Sequence, residues 1–267
     1  MRFRVAVLLS VILLAAACGG APTPITDIAP TPLVTLPADE GPRDSVIEWW
    51  YFNGLLTDDR GQEYSYHYVT FQGEAVGAAV PHLLQASLGD HKAGRHLTGE
   101  QILLGSLDPD AAGVDAAVNG WVMQGDGEIY SLDFELGGYS LKLTAVSTKP
   151  PVLHQGSGLV HLGPAGNTFY YTRPRLDVKG VITVNEEQRP VSGSAWMDHQ
   201  WGDVVGQRVG WDWTSLQLDD GSDLMAVLVW DPTNRAPFAG YGTLVSPDGS
   251  AVTLEQNGVF ISPIGTW

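Results

Sequence analysis

The densest run of reactive side chains is Ser194-Ala195-Trp196-Met197-Asp198-His199-Gln200-Trp201-Gly202-Asp203. An imidazole set among carboxylates and indoles can pass a proton, because burial and neighbouring charge shift the pKa values of acid and base. If the run is a strand, Asp198 and Gln200 share one face, and His199 and Trp201 share the other. The same pattern suits a hydrogen-bonded core histidine that ties two strands together, and spacing alone does not separate the two. A second run, Glu48-Trp49-Trp50-Tyr51-Phe52, sets one acid beside four consecutive aromatics. On a strand these rings alternate, so one set enters the core. The other set forms a second packing layer or the wall of an apolar cavity, and Trp49 and Tyr51 are the expected ligand-facing pair. Glu48 beside them is a candidate desolvated acid.

Other chemistries have weaker signals. Gly156-Ser157-Gly158 lacks the spacing and the strand-to-helix setting of a nucleophile elbow. The chain has one cysteine and no His-Glu-x-x-His run, so no metal site is expected. His82, His91 and His96 fall in a stretch that reads as loop, where solvated histidines are the ordinary outcome. The acidic pairs Asp58-Asp59, Glu186-Glu187 and Asp219-Asp220 read as turn residues.

The elements that must hold these groups are strands. Helical periodicity is scarce, and short alternating runs rich in Val, Thr, Tyr, Trp and Phe recur along the chain. Ile47 to Gly54 and Glu63 to Phe71 flank a polar turn and read as a hairpin, with Tyr64, Tyr66 and Tyr68 on one face. Residues 73–120 are the least patterned. Strands resume at Trp121 and continue, with turns every 8–12 residues, to Ile261. That rhythm predicts an all-β barrel or sandwich.

The N-terminus carries its own message. Arg2 and Arg4 precede an apolar run from Val5 to Ala17, then Cys18-Gly19-Gly20. This is the layout of a secretory signal over residues 1–17, too short to span a bilayer. Cys18, the sole cysteine, has no disulfide partner and is the expected lipid attachment point. Residues 18–45, rich in Pro and Thr, read as a lipidated tether. Removing residues 1–17 takes two arginines and no acid, moving the formal charge from −16 to −18. Such a charge argues against nucleic acid and against docking on an anionic bilayer, leaving the lipid anchor as the membrane contact. The expected location is the cell envelope, and the expected partner is an apolar small molecule: an isoprenoid, lipid or pigment.

The ordered motifs Glu48 to Gly54, Tyr170 to Leu176, Gly193 to Gly202, Gly210-Trp211-Asp212-Trp213 and Gln217 to Gly221 resemble those of the carotenoid 1,2-hydratase (hydroxyneurosporene synthase) family and its AttH-like members, from about residue 40 to the C-terminus. The resemblance implies two lipocalin-like β domains. Residues 46–203 correspond to the first, and 204–267 to part of a second that in the family continues past the point matching Trp267. It also implies acid-catalysed addition of water to a carbon–carbon double bond, a reaction that needs no cofactor. Asp198 or Asp231 would donate the proton, His199 would partner it, and Trp201 would stabilise the cation. Trp211 and Trp213 would join Trp49 and Tyr51 around the ligand. The alternative is a lipocalin-like binder that performs no chemistry.

Overall fold

The computed structural model describes residues 30–108, 110–204, 208–255 and 258–261; Cys18 and the signal-like segment lie outside them. Among the described residues, hydrophobic alternation produces sixteen strands. They are β1 (Ile47–Asp58), β2 (Glu63–Gly73), β3 (Val80–Asp90), β4 (Arg95–Gly105), β5 (Asp115–Val118), β6 (Trp121–Gly125), β7 (Ile129–Leu136) and β8 (Tyr139–Ser147), followed by β9 (Val152–Leu153), β10 (Leu159–His161), β11 (Asn167–Val184), β12 (Glu187–Gly202), β13 (Gly210–Gln217), β14 (Asp223–Trp230), β15 (Pro237–Val245) and β16 (Ala251–Leu254). No α-helix occurs among the described residues.

Twelve strands form one antiparallel sheet, ordered β4-β3-β2-β1-β12-β11-β8-β7-β6-β5, with β9 and β10 also paired to β11. The sheet curls until its ends nearly meet. Asn119, in the β5–β6 turn, donates from Nδ2 to Gln101 Oε1 of β4 at 2.9 Å. The result is the expected lipocalin-like barrel. Its interior is densely packed by Phe52, Tyr64, Tyr68, Met123, Tyr130 and Phe134, among others.

The long hairpin β11–β12 is the spine. Its two-residue turn, Asn185-Glu186, has positive φ at both positions (50° and 71°), the geometry that matches strand twist. From Val191 to Gly202, β12 pairs with β1 on one side and β11 on the other. The remaining strands form a four-stranded sheet, β13-β14-β15-β16, that packs on the outer face of this region. Val160, Tyr170 and Trp196 meet Met225, Val227, Val229 and Tyr241 in a second, smaller core. A buried clasp holds the layers together: Asp223 accepts from Lys149 Nζ at 2.6 Å and from Arg175 Nη2 at 2.7 Å.

Two expectations change. Residues 73–120 hold β3, β4 and β5 rather than mainly loop. β4 is an edge strand whose outward Ile102 and Leu104 stay exposed, which blurs the alternation that would have marked it. Within residues 18–45, the expected tether, the described part docks on the barrel: Leu33 N donates to Ser157 O, Val34 is buried, and Glu40 is buried against Arg173. The Pro- and Thr-rich composition concealed these few docking residues.

Candidate active site at the mouth of the barrel

Register places the reactive groups. On β12, Met197, His199 and Trp201 face the barrel interior, opposite Phe52, Trp50 and Glu48 of β1, and opposite Arg173, Tyr171 and Phe169 of β11. His199 is completely buried and sandwiched, its ring centroid 4.6 Å from those of both Trp50 and Trp201. The Trp50 plane is inclined only 18° to the imidazole. His199 Nε2 lies 2.6 Å from Glu48 Oε1, and Nδ1 lies 3.1 Å from the Tyr171 hydroxyl. That hydroxyl donates to Glu40 Oε2 at 2.5 Å, and Glu40 Oε1 pairs with Arg173. Four strand or pre-strand segments thus supply one hydrogen-bonded chain: Glu48, His199, Tyr171, Glu40, Arg173.

Burial decides where the proton sits. Removing water raises the Glu48 pKa to about 8, only partly offset by the Arg43 backbone N–H and guanidinium. The same loss of water lowers His199 to about 3. The pair is therefore a protonated carboxyl donating to a neutral imidazole, not an ion pair. The donors and acceptors then agree along the line. Glu48 O–H donates to His199 Nε2, His199 Nδ1–H donates to Tyr171, and Tyr171 O–H donates to Glu40.

A cavity of about 310 Å³ opens beside this pair, with Pro42, Trp50, Thr70, Gln72, His82, Leu103, Asp108 and Asp115 among its lining residues. Its size is at the small end for ligand pockets. Gln72 connects it to Glu48, donating from Nε2 to Glu48 Oε2 at 3.1 Å and to Arg43 O at 3.0 Å. Gln72 Oε1 is 3.1 Å from His82 Nε2, and His82 Nδ1 is 3.0 Å from Val80 O. His82 thus faces two acceptors, which favours a doubly protonated ring, while burial pulls its pKa down. Among the described residues, no cluster of three or more His, Cys, Asp or Glu side chains could hold a metal ion.

A model of the AttH-like family matches residues 27–267. The chain belongs to the AttH-like family. A solved AttH structure from Nitrosomonas europaea is 27% identical with a TM-score of 0.77, covering 88% of this chain and 76% of the other. Kievitone hydratase from Nectria haematococca shares the fold at 18% identity and a TM-score of 0.66, covering 86% and 70% of the two chains. No curated protein matches this sequence.

Within this AttH-like barrel the expected site residues separate. His199 and Trp201 come together with Glu48. Asp198 does not join them, because it points through the opposite face of β12 toward the small sheet. Asp231 sits in the β14–β15 turn, where its Oδ1 accepts from Thr233 N at 2.8 Å and Thr233 Oγ1 at 2.6 Å. Trp49 packs on Phe71, and Tyr51 lies between His67 and Trp213. Trp211 is largely exposed, and Trp213 donates to the Tyr170 hydroxyl. None of these four aromatics lines the barrel-mouth cavity. The inward partner of Trp49 and Tyr51, Trp50, does. Sequence reasoning also passed over Tyr171, Gln72 and Glu40, and His82, read as a solvated loop histidine, stands on β3 in the cavity wall. Tyr171 was findable, since it stands in a quoted motif and alternates onto the His199 face. Glu40 lies in a stretch without periodicity and gave no signal.

Proposed function

We propose that this AttH-like protein binds a small, largely apolar molecule at the barrel mouth and adds water across one of its carbon–carbon double bonds. The observation that carries the reading is the buried Glu48–His199 contact of 2.6 Å, one indole ring from a cavity, where burial favours a protonated carboxyl beside a neutral imidazole. Hydration needs a proton delivered to one carbon, hydroxide from water on the other, and the water's spare proton returned to the protein. The Glu48–His199 pair can give and regain that proton, with Tyr171 and Glu40 stabilising the changed charge. The face of Trp50 suits a developing positive charge. The hydratase fold neighbour is consistent with this chemistry. Incubation with an isoprenoid-containing lipid extract in ¹⁸O-labelled water should give a product about 20 mass units heavier than its substrate, absent with Glu48→Gln. An unlabelled, unchanged extract would remove the reading.

A second reading, binding without turnover, is favoured by one observation. Glu48 and His199 have no exposed surface, and Trp50 and Gln72 stand between them and the cavity. A ligand that co-purifies but never gains ¹⁸O would select it. As part of the same proposal, the protein works in the cell envelope, held by lipid on Cys18. Cys18→Ser should move it from the membrane fraction to the soluble exported fraction, and membrane retention of that variant would refute the anchor.

A further inference from the structure

The barrel interior carries polar atoms that its own packing leaves unused. Trp50 Nε1 and Thr70 Oγ1 are buried without a hydrogen-bond partner, and both residues line the mouth cavity. They are direct neighbours across β1 and β2, Trp50 opposite Thr70. The Tyr68 hydroxyl, two residues deeper on the same face of β2, is also unpartnered. Native interiors rarely leave such groups unsatisfied, since each carries the full desolvation cost of a donor with nothing to bond. An indole N–H can only donate, and a hydroxyl donates readily. Both groups are donors that an acceptor brought against this wall would satisfy.

Charge and volume narrow the class. Asp108 and Asp115 stand among the lining residues, which disfavours an anion. His82, the basic group in the wall, already directs both ring nitrogens at Gln72 and Val80 and offers no free N–H. A volume of about 310 Å³ is at the small end for ligand pockets. A long polyene could place only one end there.

Resting on the reading of the mouth as the ligand site, we propose that the ligand is a small neutral molecule, or the end group of a longer one. Its apolar body would bear a carbonyl or hydroxyl oxygen that enters first and accepts from Trp50 and Thr70. A pure hydrocarbon leaves both donors unpaired.

The test is a matched series of one carbon skeleton size: citral (carbonyl), geraniol (hydroxyl) and myrcene (hydrocarbon), titrated against the full chain by calorimetry. Citral and geraniol should bind at least about tenfold more tightly than myrcene. The preference should shrink in Thr70→Val, which keeps the shape, and in Trp50→Phe, which keeps a ring on His199. Equal binding of myrcene, no binding by any of the three, or a preference untouched in both variants would each overturn the inference. The native series decides even where a variant fails to fold. Failure of the hydration reading is separate: there the oxygenated ligands bind with the expected preference, but no ¹⁸O is incorporated.

Discussion

Two buried carboxyls in aromatic surroundings flank β12, Glu48 of β1 on its inner side and Asp198 on its outer face, and they are not equivalent. On the inner face, burial raises Glu48 to about 8; on the outer face, it raises Asp198 to about 7. Asp198 accepts from Trp196 Nε1 at 2.8 Å, a contact that lowers its pKa, as does the Tyr170 hydroxyl. The small sheet seals it, with Trp213 packed edge-on to both Tyr51 and Trp196. Glu48 instead faces a base, His199, and is linked through Gln72 to a cavity wall. A perturbed carboxyl is thus not a site in itself. What distinguishes the inner face is a partner able to take the proton and a space in which to use it.

The largest difference between the faces should appear in turnover. Glu48→Gln removes the titrating proton and should reduce hydration about 10²–10⁴-fold, the usual span for a general acid–base group. Asp198→Asn should leave the rate per folded molecule within a few-fold, while costing about 1–3 kcal/mol in urea denaturation through the disturbed donors. The opposite ranking of rates would move the chemistry to the layer between the sheets.

The clasp tests whether the small sheet serves only the outer face. Asp223→Ala leaves Lys149 and Arg175 without their shared carboxylate in a largely buried setting, and should cost about 3–5 kcal/mol. Hydrogen exchange should rise first across β13–β16 and the Asp198 layer. Protection at His199 and Tyr171 should persist, because β1, β11 and β12 remain paired without that sheet. Simultaneous loss in both regions would make the faces one cooperative unit.

How far the sequence revealed this division follows from its physics. Alternation alone separated Asp198 from His199 and put Trp201 beside the latter, because strand period is local. It could not show that Glu48, 151 positions earlier, would meet His199, since register between distant strands is a property of the whole sheet. Choosing Trp49 and Tyr51 over Trp50 was a choice of face, and periodicity does not say which face is inside. Glu40 and Val34 were hidden by prolines and threonines, whose composition masks a few anchoring contacts. Asp231 entered only through resemblance, and its turn geometry gives it another use.

The pH dependence of stability divides the two carboxyls further. Glu48 is raised from 4.5 to about 8 by folding, and Asp198 from 3.8 to about 7. Each folded carboxyl therefore holds its proton where the unfolded one has lost it. Stability from each is complete below the unfolded value and declines as pH rises through the folded one. His199 has the opposite sign: lowered from 6.5 to about 3, it contributes a loss as pH falls through that window. Urea midpoints of Glu48→Gln should lose the part of the decline that extends to about pH 8, and those of Asp198→Asn the part ending near pH 7. The acid-side loss should survive in Asp198→Asn. Identical profiles for both variants would mean the carboxyls titrate together.

The smallest effect is expected at Asp231, and it probes the comparison from outside. The side chain is bound within its own turn, accepting through Oδ1 from Thr233, and these contacts lower its pKa. Asparagine retains a carbonyl oxygen in that position, so Asp231→Asn should preserve the β14–β15 turn and leave the urea midpoint unchanged. Hydration should vary by less than about twofold, as for substitutions away from buried networks. Should the rate instead fall with the fold intact, the small sheet would have to contribute a proton carrier, and the inner face of β12 would lose its claim to act alone.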